Sequence, residues 1–173
     1  AALPGFMVYT LQGYRLESRA ADAQLFVYRV KDIEDQDEHS AANIANLRQL
    51  LQRKPALGAY PSPGLDEPPY YVPWLQPINA TTIMHAGVEY LDFQNGVGMR
   101  YLTQYAQALS VVNNEEIYYT FQGLTEDGEY YIAARLPVYH PDLVAGANDA
   151  PDGDTSVWED VEKNLQYMQK MVP

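Results

Sequence analysis

The strongest structural constraint in this sequence is a two-residue periodicity that runs through residues 86–105 and is interrupted once, at Asn95-Gly96. Beyond that pair, strand-forming residues recur at every second position, namely Val97, Met99, Tyr101, Thr103 and Tyr105. A period of two is that of a β-strand, and Asn-Gly tolerates the positive φ angles of a tight turn. The sequence therefore predicts a β-hairpin here, in which Gly96-Val97-Gly98 belongs to the turn.

Two more hairpins are predicted from aromatic and β-branched runs. Residues 6–17 and 24–30 form the first, with a polar connection at 18–23, and residues 117–122 and 129–138 form the second, with a turn at 125–128. Apolar residues fall on both faces of several strands, which indicates a sheet that is covered on both sides.

Two helices are predicted from apolar residues at helical spacing. Ser40–Lys54 begins with Ser40 as its cap and ends before Pro55, and residues 156–171 form a terminal helix. The acidic run Asp32–Glu38 is predicted to be a solvated connection. At 173 residues the chain suits one domain, 1–173. The predicted fold class is α+β: an antiparallel sheet of about five to seven strands with two main helices packed on it.

Charge and residue usage narrow the classes of partner. The net charge of −12 disfavours a nucleic-acid partner, because phosphates would be repelled. No apolar run reaches the length of about 20 residues that spans a bilayer, so no membrane span is predicted. The chain has no cysteine, which excludes disulfides and thiolate metal sites. It begins Ala1-Ala2 without an initiator Met, and a removed signal segment is one explanation for that start.

Two segments, LDFQNGVGMRYLTQYAQ (91–107) and YTFQGLTEDGEYYIAARLPV (119–138), resemble an uncharacterised family of secreted or lipid-anchored bacterial envelope proteins. The resemblance covers about 50 residues and implies an exported, extracellular or envelope location, without implying an activity. The order of elements is also similar to the α/β/α sandwich of the PsbP type, a likeness of architecture that carries no function.

A proline-rich, aromatic loop at residues 55–77 is the predicted binding surface. Its binding residues are Tyr60, Tyr70, Tyr71 and Trp74, which combine large contact area with polar tips. A protein partner or a glycan at the cell surface would suit such a stacking platform. The alternative is that these side chains fold back and cover an edge of the sheet.

No catalytic residue is assigned from the sequence, because no motif for nucleophilic catalysis occurs. The enzyme alternative is a small hydrolase that uses the carboxylates of Glu115, Glu116 and Asp127. The expected function is therefore a non-catalytic binding or assembly domain of the envelope.

A second alternative is a calcium-binding envelope module. The loop 148–159 echoes a calcium-binding loop, with Asp149, Asp152 and Asp154 as metal ligands and Glu159 as a further candidate. The competing interpretation makes Asp152-Gly153 a turn and Glu159 part of a helix cap.

Overall fold

The computed structural model describes residues 5–16, 22–57, 60–61, 72–73, 80–107 and 110–149, together with Lys163 and Gln166. The elements of this part of the chain are β1 (Phe6–Thr10), β2 (Gln24–Arg29), α1 (Val30–Glu34), α2 (Glu38–Arg53), β3 (Tyr60–Pro61), β4 (Thr81–Phe93), β5 (Gly96–Ala106), β6 (Tyr118–Thr125) and β7 (Tyr130–Pro137). The strands form one antiparallel sheet in the order β1-β2-β7-β6-β5-β4-β3. The predicted α+β class and the antiparallel sheet are confirmed.

Helix α2 confirms the first predicted helix and corrects its cap. Asp37, in extended conformation, accepts a hydrogen bond from the Ser40 amide at 2.7 Å, so the helix begins at Glu38 and Ser40 lies inside its first turn. At the other end Lys54 adopts the left-handed conformation with φ 46° and donates its amide to the Leu50 carbonyl at 2.8 Å. Pro55 follows, as predicted.

The acidic stretch Asp32–Glu38 was wrongly predicted to be a mere connection. Helix α1 occupies its first part, and Ile33, the one apolar residue in the stretch, is buried together with Val30. Burial of these two side chains stabilises a turn of helix whose other residues carry the charge into solvent.

The central hairpin is confirmed, but its turn differs from the prediction. Residues 94 and 95 form the turn and Gly96 already pairs with Phe93 in the ladder. Neither Asn95 nor Gly96 has a positive φ. Instead, a Cβ on Gly96 would lie 2.3 Å from the Leu124 carbonyl oxygen, so the glycine is needed for close approach of the neighbouring strand.

Two hydrophobic clusters lie on opposite faces of the sheet. On the helix face, Ile44, Leu47 and Leu51 of α2 pack against Met99 and Tyr101 of β5. On the opposite face and towards the other end of the strands, residues from 110–117 and 138–149 cover β4 and β5; this second cluster contains Met84, Ala86, Val111, Val112, Ile117 and Leu143. The predicted cover on both sides is present where these clusters lie.

The second predicted helix, 156–171, lies almost entirely outside the described residues. Lys163 and Gln166 are the described positions in it, and both have helical backbone and exposed side chains. Among the described helices, none combines the length and the apolar character that a membrane crossing requires.

Candidate interaction surface

Exposed apolar side chains are concentrated at one edge of the sheet. Eight large hydrophobic side chains are exposed in the described part of the chain, and seven of them belong to residues 6–16. We call this stretch the edge segment. Its seven exposed side chains have between 37% and 53% of their surface accessible; they are Phe6, Met7, Val8, Tyr9, Leu11, Tyr14 and Leu16. Exposed apolar clusters are typical of interaction sites, which makes the edge segment a candidate.

Local contacts hold the edge segment in its extended conformation. The Phe6 ring packs against Tyr28 of β2, with centroids 5.3 Å apart. Gly13, at φ 77°, ends the extended run, so the first strand stops at Thr10 and does not continue to residue 17 as the sequence predicted. The Tyr14 hydroxyl then donates to the Pro137 carbonyl at 2.9 Å and ties the segment to β7. The apolar side chains are therefore displayed from a fixed backbone.

The outward backbone groups of β1 are identified by one hydrogen bond at its end. The Leu11 amide donates to the Ala23 carbonyl at 2.9 Å, in the same register that pairs β1 with β2. In an antiparallel ladder such bonds alternate along the strand, so Met7 and Tyr9 direct their backbone groups to β2. Phe6, Val8 and Thr10 direct theirs to the open edge.

The opposite edge of the sheet, at β3 and β4, is protected against pairing with another strand, whereas β1 is not. Strand β3 has two residues, one of them Pro61, which lacks an amide. Beyond β3, β4 carries the exposed acids Glu89 and Asp92 and has two irregularities in its register with β5. Residues 6–10 carry no charge and no proline. Within the described residues, β1 is thus the edge best suited to accept another strand.

The predicted binding residues in the proline-rich segment fall mostly outside the described residues. This applies to Tyr70, Tyr71 and Trp74. Tyr60 lies in β3, where its backbone pairs with His85, so this position belongs to the sheet and not to an irregular loop. Val72, from the same segment, is 4% exposed and belongs to the core on the helix face. The stacking platform itself stays a prediction.

The three carboxylates of the hydrolase alternative do not come together. Glu115 and Glu116 precede β6, whereas Asp127 follows it, and eight residues of strand separate them by roughly 26 Å. The Asp127 carboxylate accepts hydrogen bonds from the Thr125 hydroxyl at 2.5 Å and the Glu129 amide at 2.9 Å. Both hydrogen bonds stabilise the ionised carboxylate and so lower the pKa of Asp127, and the bond from the Thr125 hydroxyl has the larger effect. Asp127 thus holds the hairpin tip in place.

Glu116 belongs to a hydrogen-bond network that fastens residues 110–117 to the sheet. Its carboxylate accepts from the Gln104 side-chain amide at 3.0 Å and from the Asn113 side-chain amide at 2.9 Å. Gln104, fully buried, also donates to the Val111 carbonyl and accepts from the Asn113 backbone amide, both at 3.0 Å. Glu116 therefore has a structural role, which is to hold residues 110–117 against the sheet.

Replacing Gln104 with leucine is expected to lower the free energy of unfolding by about 3 kcal/mol, because the buried Asn113 backbone amide loses its acceptor and the Val111 carbonyl and Glu116 carboxylate each lose one donor. Urea unfolding followed by circular dichroism measures the change. Gln52→Leu, at an exposed position on α2, is the matched control and should stay within about 0.5 kcal/mol of the parent. Equal small effects of both substitutions would contradict the role assigned to Gln104.

The calcium candidate can be located only at Asp149. Its carboxylate accepts a hydrogen bond from the Gly146 amide at 2.7 Å, which closes a local turn. Asp152, Asp154 and Glu159 lie outside the described residues. In the described part of the chain, no three side chains of the metal-ligating types are grouped around a common point.

A cleft of about 440 Å³ lies between β2, the two helices and the β6–β7 turn. Its charged lining residues are Arg29, Lys31, Glu34, Arg48 and Glu129. Arg48 and Glu34 pair across it at 2.7 Å, and Lys31 pairs with Asp35 at 2.8 Å. Among the described residues, two carboxylates line the cleft, those of Glu34 and Glu129, and the first is neutralised by Arg48.

The exposure of the edge segment was not predicted from the sequence, although residues 6–17 were predicted to be a strand. One signal could have found it. Residues 1–14 contain no charged side chain in a chain that is 20% charged. A central strand needs such apolarity for burial, whereas an edge strand normally carries charge, so the distinction requires knowing the strand order.

No protein-family model matches this chain, and comparison with the curated proteins and with the solved structures found no match. The resemblance of residues 91–107 and 119–138 to envelope proteins accordingly stays a prediction.

Proposed function

We propose that this chain is a binding and assembly domain of the cell envelope that engages a polypeptide partner by adding a strand to β1. The observation that carries the proposal is the edge segment, with seven exposed apolar side chains, four of them on β1, a strand without charge. Strand addition supplies affinity through backbone hydrogen bonds and specificity through alternate side chains.

Strand addition needs backbone groups along an open edge and accessible side chains, and β1 provides both. Phe6, Val8 and Thr10 offer amides and carbonyls along the open edge, and the side chains on either face are about half exposed. Because Tyr14 anchors the end of the segment to β7, little backbone ordering is needed on binding. A preorganised edge binds more tightly than a flexible one of the same composition.

The envelope location rests on the resemblance carried by residues 91–107 and 119–138. The catalytic alternative has less support, because Glu116 and Asp127 lie at opposite ends of β6. A protein partner suits the edge segment better than a glycan, since the exposed backbone groups of a strand pair with those of another polypeptide.

Photo-crosslinking in the cell that makes the protein tests this function. A photoreactive amino acid in place of Val8 is expected to give protein adducts of discrete mass, because position 8 lies at the centre of the open edge. The control places the same amino acid at Gln52, on the exposed side of α2, where no adduct is expected. If position 8 gives no more adduct than position 52, the proposed function is wrong.

A further inference from the structure

We infer that the strand added to β1 is β1 of a second copy of this chain, in an antiparallel pair whose two-fold axis passes between the two Val8 residues. This inference rests on the proposed function and names its partner. The two seven-stranded sheets would then form one continuous sheet with the helices of both copies on the same side.

Backbone geometry selects this register. The residues with outward backbone groups are Phe6, Val8 and Thr10, so they are spaced symmetrically about Val8. An antiparallel copy centred on Val8 places Phe6 opposite Thr10 of the second copy, Val8 opposite Val8, and Thr10 opposite Phe6. Every outward amide and carbonyl of the strand then meets a partner, which a shift by one residue would not allow.

The side chains are self-complementary in the same register. On one face Val8 meets Val8 of the second copy, and on the other face Met7 meets its Tyr9. Within one copy the Tyr9 hydroxyl already lies 3.8 Å from the Met7 sulfur, so the two-fold axis brings two such pairs into one cluster. Cross-strand pairs of aromatic, β-branched and thioether side chains stabilise antiparallel strands.

The contact area suits a weak, reversible dimer. In this register β1 meets β1, so the four large apolar side chains of the strand, each about half exposed, offer on the order of 400 Å² per copy. Two copies would therefore remove about 800 Å² from solvent, which is the size of a transient contact.

Charge restricts where a second copy can dock. Each copy carries a net charge of −12, so two copies repel each other overall and can approach only where carboxylates are scarce. Residues 5–14 provide such a place, since none of them is charged.

A single engineered cysteine tests the register, because the chain contains no other cysteine. In Val8→Cys the two Cα atoms would lie about 5.5 Å apart across the axis, within disulfide reach. Leu11→Cys, at a comparably exposed position of the same segment, is the control; its symmetry mate would lie about 20 Å away. Under mild oxidation of the purified chain, Val8→Cys is expected to form a covalent dimer and Leu11→Cys to remain monomeric.

Sedimentation of the cysteine-free chain measures the non-covalent equilibrium. Val8→Lys places two ammonium groups opposite each other and should raise the dimer Kd about tenfold or more, whereas Gln52→Lys should leave it unchanged. A purified chain that is monomeric at high micromolar concentration, or equal oxidation of the two cysteine variants, would overturn the inference. If the position-8 crosslinks then contain another protein, the proposed function stands and only the identity of the partner is wrong.

Discussion

Above about pH 10 the protein is expected to lose stability steeply, by about 4 kcal/mol per pH unit, because the three described tyrosines whose pKa is raised most by burial do not ionise in the folded state near that pH. Tyr101 and Tyr131 are fully buried and Tyr118 is 8% exposed. Burial raises the pKa of all three above the ordinary value of 10.0. The Tyr131 hydroxyl donates to the Gln122 side-chain carbonyl at 2.9 Å, and the Gln122 amide donates to Tyr101; this second bond by itself lowers the pKa of Tyr101, so burial outweighs it.

The sign follows from the direction of the pKa shifts. In the unfolded chain these tyrosines lose their protons near pH 10, whereas in the folded chain they keep them, so rising pH favours the unfolded state. The full contribution of these tyrosines to the free energy of unfolding is present below pH 10 and is lost progressively as the pH rises towards their folded-state pKa. Each tyrosine accounts for about 1.4 kcal/mol per pH unit, and a domain of ordinary stability unfolds within about two to three units.

Parallel titrations of tyrosinate absorbance and far-ultraviolet circular dichroism measure this behaviour. A late wave of tyrosine ionisation should coincide with loss of secondary structure. Tyr131→Phe should remove about a third of the slope, while Tyr139→Phe, at a position 63% exposed, should leave it unchanged. Ionisation of all fifteen tyrosines near pH 10 with the sheet intact would show that the buried set is accessible.

Replacing Gly98 with alanine is expected to lower the free energy of unfolding by about 2–3 kcal/mol, although alanine is only one methyl larger. Gly98 pairs directly with Gly123 across β5 and β6, and the Phe121 ring lies over both glycines. A Cβ on Gly98 would lie 2.3 Å from the tip of that ring and 2.7 Å from the Gln122 carbonyl oxygen. The ring can move, but the carbonyl belongs to the neighbouring strand.

Gly5→Ala is the matched control, because a Cβ there would meet nothing within 4 Å. It should change stability by less than about 0.5 kcal/mol. In the background of Phe121→Ala, the effect of Gly98→Ala should fall to about half, since only the clash with the carbonyl remains. An undiminished effect in that background would assign the whole cost to the backbone and none to the ring.

The strands and α2 could be predicted because their signals are local. The period of two in β5 and the spacing of Ile44, Leu47 and Leu51 in α2 each reflect burial on one face, which the sequence records directly. The role of Gly98 could not be predicted in this way. Its requirement arises from Phe121, a residue on the next strand, and the glycine was attributed to a turn instead.

The candidate interaction surface escaped prediction for a related reason. The apolar character of Val8 is the same whether its strand is central or at an edge, and only the order of strands in the sheet decides between them. Conversely, the aromatic side chains at 70–74 were predicted to bind a partner from the composition of their segment alone.

The hairpin formed by β4 and β5 takes part in both hydrophobic clusters, and this affects how the molecule folds and unfolds. Strand β5 contributes Tyr101 to the cluster on the helix face and packs Leu102 against the other cluster, whereas β4 contributes Met84 to the second cluster and packs Tyr90 against the first. Neither cluster can open completely without disturbing strands that the other needs, so we expect one cooperative transition. The hairpin also joins residues close in sequence, which makes its closure entropically cheap and suits it to nucleate folding from the middle of the chain outwards.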